Sequence, residues 1–138
     1  MVLTDPSTEE LVGLFFGVLG KMKQHFAERS AEFDLSFAQA MAVRELEEPL
    51  SMRDLAERLG CDASNVTGIV DRLEERKLVE RQILPGDRRV KRLVLTSAGR
   101  SLRRAHQERL AEDLPLVASL SAADRRVLTD LFRRVADQ

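Results

Sequence analysis

Residues 51–96 read SMRDLAERLGCDASNVTGIVDRLEERKLVERQILPGDRRVKRLVLT, and their patterning decides the fold. Ser51 suits a helix N-cap, with Asp54 three residues on in a capping-box-like arrangement. Met52, Leu55, Ala56 and Leu59 then fall at i, i+3, i+4 and i+7, the spacing of one buried helix face. Gly60 is a natural helix stop. After a few residues Val66, Ile69, Val70 and Leu73 repeat the pattern. Two short helices joined by a tight glycine-containing turn form a helix-turn-helix. Leu78–Leu84 and Val90–Leu95 are rich in aliphatic and β-branched residues and flank Pro85-Gly86-Asp87, which predicts a two-stranded hairpin, or wing.

Outward from this stretch the chain reads as helices. Residues 8–31 carry Leu11, Leu14, Phe15, Val18, Leu19, Met22 and Phe26 on one broad stripe. A second helix is predicted from about Ser36 to Glu47, stopped by Pro49. Thr96 caps a long helix from about Ser97 to Leu114, broken near Pro115, and Ser121 opens a last one carrying Val127, Leu128, Leu131, Phe132 and Val135. The predicted fold is mainly α, with six helices and a small β-hairpin wing.

The chain has 138 residues, 22 of them basic and 23 acidic, so no overall excess of base announces nucleic acid. The distribution is more telling. Residues 1–50 hold 4 basic and 9 acidic groups, residues 51–95 hold 10 and 8, and residues 96–138 hold 8 and 6. Between Arg81 and Arg92, five bases (Arg81, Arg88, Arg89, Lys91 and Arg92) stand against Asp87 alone, a local stripe able to attract phosphate. A solvated charged hairpin is the alternative reading of the same residues. Cys61 is the single cysteine, which excludes an intrachain disulfide. There is no signal-like N-terminus and no apolar run near the ~20 residues of a membrane span, so a cytoplasmic protein is expected.

On the second helix of the pair, Val66, Ile69, Val70 and Leu73 must face the core. Ser64, Gly68, Asp71 and Glu75 then lie opposite, flanked by Asn65, Thr67 and Arg72. Small polar residues and an arginine can bond phosphates or base edges in a major groove. A mid-helix glycine on the solvent side costs about 1 kcal/mol relative to alanine, and close approach of DNA would account for Gly68. Asp71 and Glu75 imply that the N-terminal half leads into the groove, and Asp71 is placed to orient Arg72 or a wing arginine. Strand pairing is expected to bring Arg81 near Lys91 or Arg92, a repulsion that an anionic partner would relieve. The tip, with Arg88 and Arg89, is narrow enough for a minor groove.

These residues carry a resemblance. Leu55-Ala56, Ser64-Asn65-Val66-Thr67, Val70-Asp71-Arg72-Leu73-Glu74, Leu78-Val79-Glu80-Arg81, Asp87-Arg88-Arg89, and Leu95-Thr96 with Gly99 resemble the winged-helix core of MarR-type (multiple antibiotic resistance regulator) transcriptional regulators. The match in order and spacing runs over about 50 residues, and the flanking helices extend it. The resemblance implies an intertwined homodimer on double-stranded DNA. Residues 1–35 would supply the N-terminal dimerisation helix, 36–96 the winged helix-turn-helix, and 97–138 the C-terminal dimerisation helices. Recognition helices would enter consecutive major grooves of a pseudo-palindrome through Ser64, Asn65, Thr67, Gly68 and Arg72. The wings, with Arg81, Arg88, Arg89 and Lys91, would reach the flanking minor grooves, Asp87 orienting and Arg89 inserting. Many members are repressors released by a small aromatic or anionic ligand bound between the two parts.

Phe15, His25, Phe26, Phe37, Met41 and Arg44, with Phe33 nearby, are candidate pocket residues. The competing reading makes the phenylalanines core or dimer interface and His25 a surface group. Two departures stand out. Lys77 replaces a glycine common at the recognition-helix exit, which points to a strained or reshaped exit. No cysteine lies near the N-terminus, and Cys61 reads as a small packing residue in the turn. His25, His106 and Cys61 show no metal-ligand spacing or triad-like grouping, so neither an enzyme nor a cofactor is expected. Two other roles remain open: a winged-helix protein-interaction module, and a constitutive regulator with no small-molecule ligand.

Overall fold

The computed structural model describes residues 6–84 and 86–138, leaving aside the side chains of Pro6, Leu84 and residues 87–90. Six helices and three strands follow in the order α1 (Pro6–Ala31), α2 (Phe37–Glu45), β1 (Leu50–Ser51), α3 (Met52–Leu59), α4 (Ala63–Glu75), β2 (Val79–Leu84), β3 (Asp87–Leu95), α5 (Ser97–Ala111) and α6 (Ala122–Ala136). Residues 26–109 form one compact unit, and residues 1–25 with 110–138 form another. No helix of the described residues is long and apolar enough to cross a membrane.

The core lies in the 26–109 unit. Leu55, Val66, Val70, Leu73 and Leu93 are fully buried there, with Ala42, Val43, Leu46 and Val79 scarcely exposed. The i, i+4, i+7 spacing of Val66, Val70 and Leu73 therefore did mark the inner face of α4. Caps set the helix starts: Ser51, Asp62 and Ser36 each accept a backbone N–H three residues on. The Ser36 cap is reciprocal, since Gln39 bonds back to the Ser36 N–H.

Three helices leave through one motif. At the ends of α1, α3 and α4 a residue in left-handed conformation follows the helix: Asp34 (φ 55°), Gly60 (φ 63°) and Lys77 (φ 59°). In each the next N–H reaches five residues back: Leu35 to Ser30, Cys61 to Ala56, and Leu78 to Leu73. This is the Schellman arrangement, in which glycine is favoured at the left-handed position. Lys77 takes it without being glycine, as the departure at this position led us to expect. Lys77→Gly should raise unfolding stability by about 0.5–1 kcal/mol, measured by urea denaturation, because a Cβ is penalised at positive φ.

The wing is a three-stranded antiparallel sheet of order β1-β3-β2. The two-stranded expectation missed β1, whose Leu50 and Ser51 pair with Leu93 and Arg92. Two residues are too few to show alternation, and Ser51 has a second role as the α3 cap. Its extended backbone serves both.

At the foot of the wing three segments lock together. Thr96 Oγ1 donates to the Lys77 carbonyl (2.6 Å) and accepts from Gly99 N (3.0 Å), while Thr96 N bonds the Leu78 carbonyl (3.0 Å). Gly99 is buried there, in the first turn of α5.

His106 on α5 is buried between the rings of Phe26 and Phe33, at centroid distances of 5.2 and 5.6 Å. The Ser30 hydroxyl donates to the Phe26 carbonyl (2.6 Å), so it accepts from His106 Nε2 (3.0 Å). Burial, with the nearby Arg44 charge, holds this imidazole below its ordinary pKa of 6.5. The neutral ring is thus the folded form. Above pH 6.5 both folded and unfolded chains keep it neutral. Below that, the unfolded chain takes up the proton first, so stability falls as pH drops from 6.5 through the folded pKa. Thermal unfolding between pH 8 and 5 should show this loss, and His106→Gln, which keeps a donor for Ser30, should remove it. Glu32 and Asp62, held low by the Arg109 side chain and by the Asn65 N–H respectively, contribute only in the more acid range.

The other unit contains little buried apolar surface of its own. His25 is buried and donates from Nε2 to the Leu110 carbonyl (2.9 Å), so it is not the surface group of the competing sequence reading. In the same unit Leu11, Leu14, Phe15 and Phe16 on α1 are more than half exposed, as are Val127 and Val135 on α6.

Candidate nucleic-acid interface

The helix-turn-helix presents α4 with its polar face outward. Asp62 caps the helix by accepting from Asn65 N (2.9 Å) and also accepts from the Ser64 hydroxyl (2.8 Å). These two bonds hold its carboxyl below the ordinary carboxylate range, so the cap is charged at neutral pH. They also fix the Ser64 side chain, leaving its oxygen lone pairs outward. The Thr67 hydroxyl donates to the Ala63 carbonyl (2.8 Å) and likewise keeps acceptor capacity. Ser64, Asn65, Thr67, Gly68 and Arg72 are all exposed. Ser64, Asn65, Gly68 and Arg72 line one shallow depression of about 370 Å³ with Ala38, Cys61 and Ile69. A Cβ added at Gly68 would meet nothing within 4 Å, so no neighbour in the chain requires glycine there.

The wing corrects one expectation. Arg81 stands opposite Leu93, not Lys91 or Arg92, and Gln82 stands opposite Arg92. The Arg81 guanidinium turns to α4, where it donates to Asp71 and lies 3.6 Å from Glu74. The expected like-charge repulsion is therefore absent at this position. The physical reason is the ladder's period: position 81 shares a face with buried Val79, and that face runs onto the back of α4. Asp71 does orient a wing arginine, one of the two roles read for it. Lys91 is exposed, opposite Ile83, itself 56% exposed. Gly86 takes φ 94° at the turn. The backbone of Asp87, Arg88 and Arg89 begins β3, while the expectations about their side chains lie outside those described.

The candidate pocket residues divide between the two units. Phe26, Phe37, Met41 and Arg44 belong to the 26–109 unit, and Phe15 and His25 to the other. Phe26 packs edge-on against Phe37 (5.1 Å) and against His106. Met41 is half-buried, while Arg44, Phe37 and Phe15 are exposed. Sequence reading missed Ser30 and His106, whose pairing spans 76 positions and leaves no local signal. It also missed Arg76, which ties the α4 exit to the α1 exit by donating to the carbonyls of Asp34 (2.8 Å) and Phe33 (3.1 Å). Among the described residues no group of three or more His, Cys, Asp or Glu is arranged to hold a metal ion.

Comparison with known proteins points in one direction. Residues 38–91 match the MarR family. Over 90 residues, 64% of the chain, the sequence is 36% identical to a protein of Thauera aromatica named as a candidate transcriptional regulatory protein for the hcr operon. That match spans about half, 54%, of the relative's own length. The apo crystal structure of wild-type MarR from E. coli superposes with a TM-score of 0.78 at 25% identity, covering 91% of this chain and 95% of that one. A cysteine-to-serine variant of the same protein complexed with operator DNA gives 0.72 at 25% identity, over 91% and 93%. A MarR family protein from Bacillus stearothermophilus gives 0.85 at 24% identity, over 99% and 97%, a likeness of fold.

Proposed function

We propose that this chain, whose residues 38–91 match the MarR family, is a sequence-specific DNA-binding transcriptional regulator acting as a homodimer on a pseudo-palindromic operator. The observation that carries this reading is the outer face of α4. Ser64, Asn65, Thr67 and Arg72 surround a glycine that no neighbour requires. In this reading the N-terminal half of α4 enters the major groove, and Gly68 lets the helix backbone approach the bases. Arg88, Arg89 and Lys91 supply minor-groove and phosphate contacts, with Asp87 aiming Arg89. Arg81 acts differently from its neighbours: bound to Asp71 and Glu74, it sets the angle between wing and recognition helix.

The test is Gly68→Ala. The substitution should stabilise the fold by about 1 kcal/mol, since alanine is the better helix former and its methyl meets nothing. It should weaken operator binding at least tenfold by holding the helix off the bases. A stabilised variant with unchanged DNA affinity would show the glycine to be incidental.

The homodimer rests on the exposed apolar faces of α1 and α6. Val18, Leu116, Leu120, Val127, Leu128 and Leu131 frame a groove of about 410 Å³. Leu14, Phe15, Phe132 and Val135 add further exposed apolar surface. Contiguous apolar surface of this kind marks an interface, and a second copy of the same helices is the simplest cover. Release by a small aromatic anion is the regulatory reading. The charge of exposed Arg44 is felt at His106, whose ring packs on Phe26, itself edge-on to Phe37. The protein's role is binding rather than catalysis, as the regulator named among its relatives supports.

A further inference from the structure

We propose that the solvent face of α5 built from Arg100, Arg103, Arg104 and Gln107 is a binding site for a small multivalent oxyanion, separate from the α4 face. These residues stand at i, i+3, i+4 and i+7, so they share one side of the helix. With Glu47 and Leu95 they line a concavity of about 210 Å³. At about 30 Å³ per water of liquid volume, it holds a body the size of about seven waters, matching a phosphate ester or a tricarboxylate.

The guanidinium groups are held ready. Arg100 Nη1 donates to the Leu95 carbonyl at the end of β3 (2.9 Å). Arg103 Nε donates to the Arg44 carbonyl at the end of α2 (3.1 Å), and its Nη2 lies 3.5 Å from Glu47. Arg100 spends one of its five donors and Arg103 engages two groups, so each keeps donors held in place before any ligand arrives. Arg104 has no hydrogen bond or ion pair among the described residues, and neither has Gln107. Three positive charges therefore meet one carboxylate, Glu47, whose side chain is 73% exposed. Like charges at i+3 and i+4 destabilise a helix, and a multivalent anion would reverse that effect.

Glu47 also decides between sources of oxyanion. A carboxylate on the rim opposes an extended polyanion, whereas a compact ligand can take the Arg104 and Arg100 donors without displacing it. A bound anion would link α5 to the ends of α2 and β3, so occupancy should raise the unfolding temperature.

The full chain is titrated with citrate and with inorganic phosphate at constant ionic strength, with chloride as the balancing salt. Thermal unfolding and heat of binding are recorded. We expect saturable stabilisation by citrate or phosphate beyond that of chloride. Arg104→Ala should weaken it at least tenfold and Arg104→Lys less, since lysine keeps the charge but not the fork. The Arg104 side chain is exposed and makes no hydrogen bond or ion pair among the described residues, so both variants should melt as the wild type does without anion. Arg53→Ala, on the exposed face of α3, should bind as the wild type. The proposal is overturned if chloride stabilises equally, or if Arg104→Ala binds like the wild type. It is also overturned if Arg104→Ala loses affinity for duplex DNA alone, which would assign the arginines to backbone phosphate.

Discussion

Gly99→Ala should cost about 3 kcal/mol or more, and lower the melting temperature by about 10 °C, in thermal and urea unfolding. A Cβ built at Gly99 lies 2.1 Å from the Leu78 carbonyl oxygen and 3.2 Å from a Leu95 methyl. The obstacle is main chain, and that carbonyl already accepts from Thr96 N. Moving it would disturb the α4 exit, the start of β2 and the first turn of α5 together. The same substitution at Gly68 meets nothing within 4 Å and should have the opposite sign. Both glycines lie within helices, so propensity alone would predict a gain at each. Equal stabilisation of the two variants would refute the close packing of α5 against the foot of the wing.

The second large effect concerns the apolar faces of α1 and α6. Phe132 is 50% exposed in the single chain, so an aspartate there would be nearly neutral for an isolated protomer. In a dimer that covers this face, Phe132→Asp would place an unpaired charge in the interface. About 3 kcal/mol or more of association energy would be lost, raising the dissociation constant at least a hundredfold. Sedimentation should then show protomers at concentrations where the wild type is a dimer, and DNA affinity should fall with dimer content. Unchanged sedimentation would require another occupant for the α6 face.

The sequence made the winged-helix elements legible because their signals are local. The Ser51 cap, the Gly60 turn, and Val66, Val70 and Leu73 each lie within one turn or one helix face. The strain at Lys77 was legible only through the family resemblance, which places a glycine at this exit, and Lys77 does stand there at φ 59°. Non-local partners were not legible. Arg81 reads as part of a basic stripe, and only the ladder's register shows that its guanidinium belongs to Asp71 and Glu74. His106 reads as a lone histidine until folding brings Ser30, 76 positions away, to its ring. The stripes of α1 and α6 show a different limit. Helical periodicity tells that a face will be covered but not by which chain, and here Leu14 and Val127 remain exposed in the single protomer.

In the proposed function two α4 helices read a pseudo-palindromic DNA site. The most direct measurement is selection of genomic fragments by the purified protein, followed by footprinting of the most enriched one. The expected result is a protected site with two related half-sites about 10 base pairs apart centre to centre, bound by two chains. Affinity should also fall steeply with salt. Fragments enriched without any shared sequence, or a single unpaired half-site bound by one chain, would contradict that function.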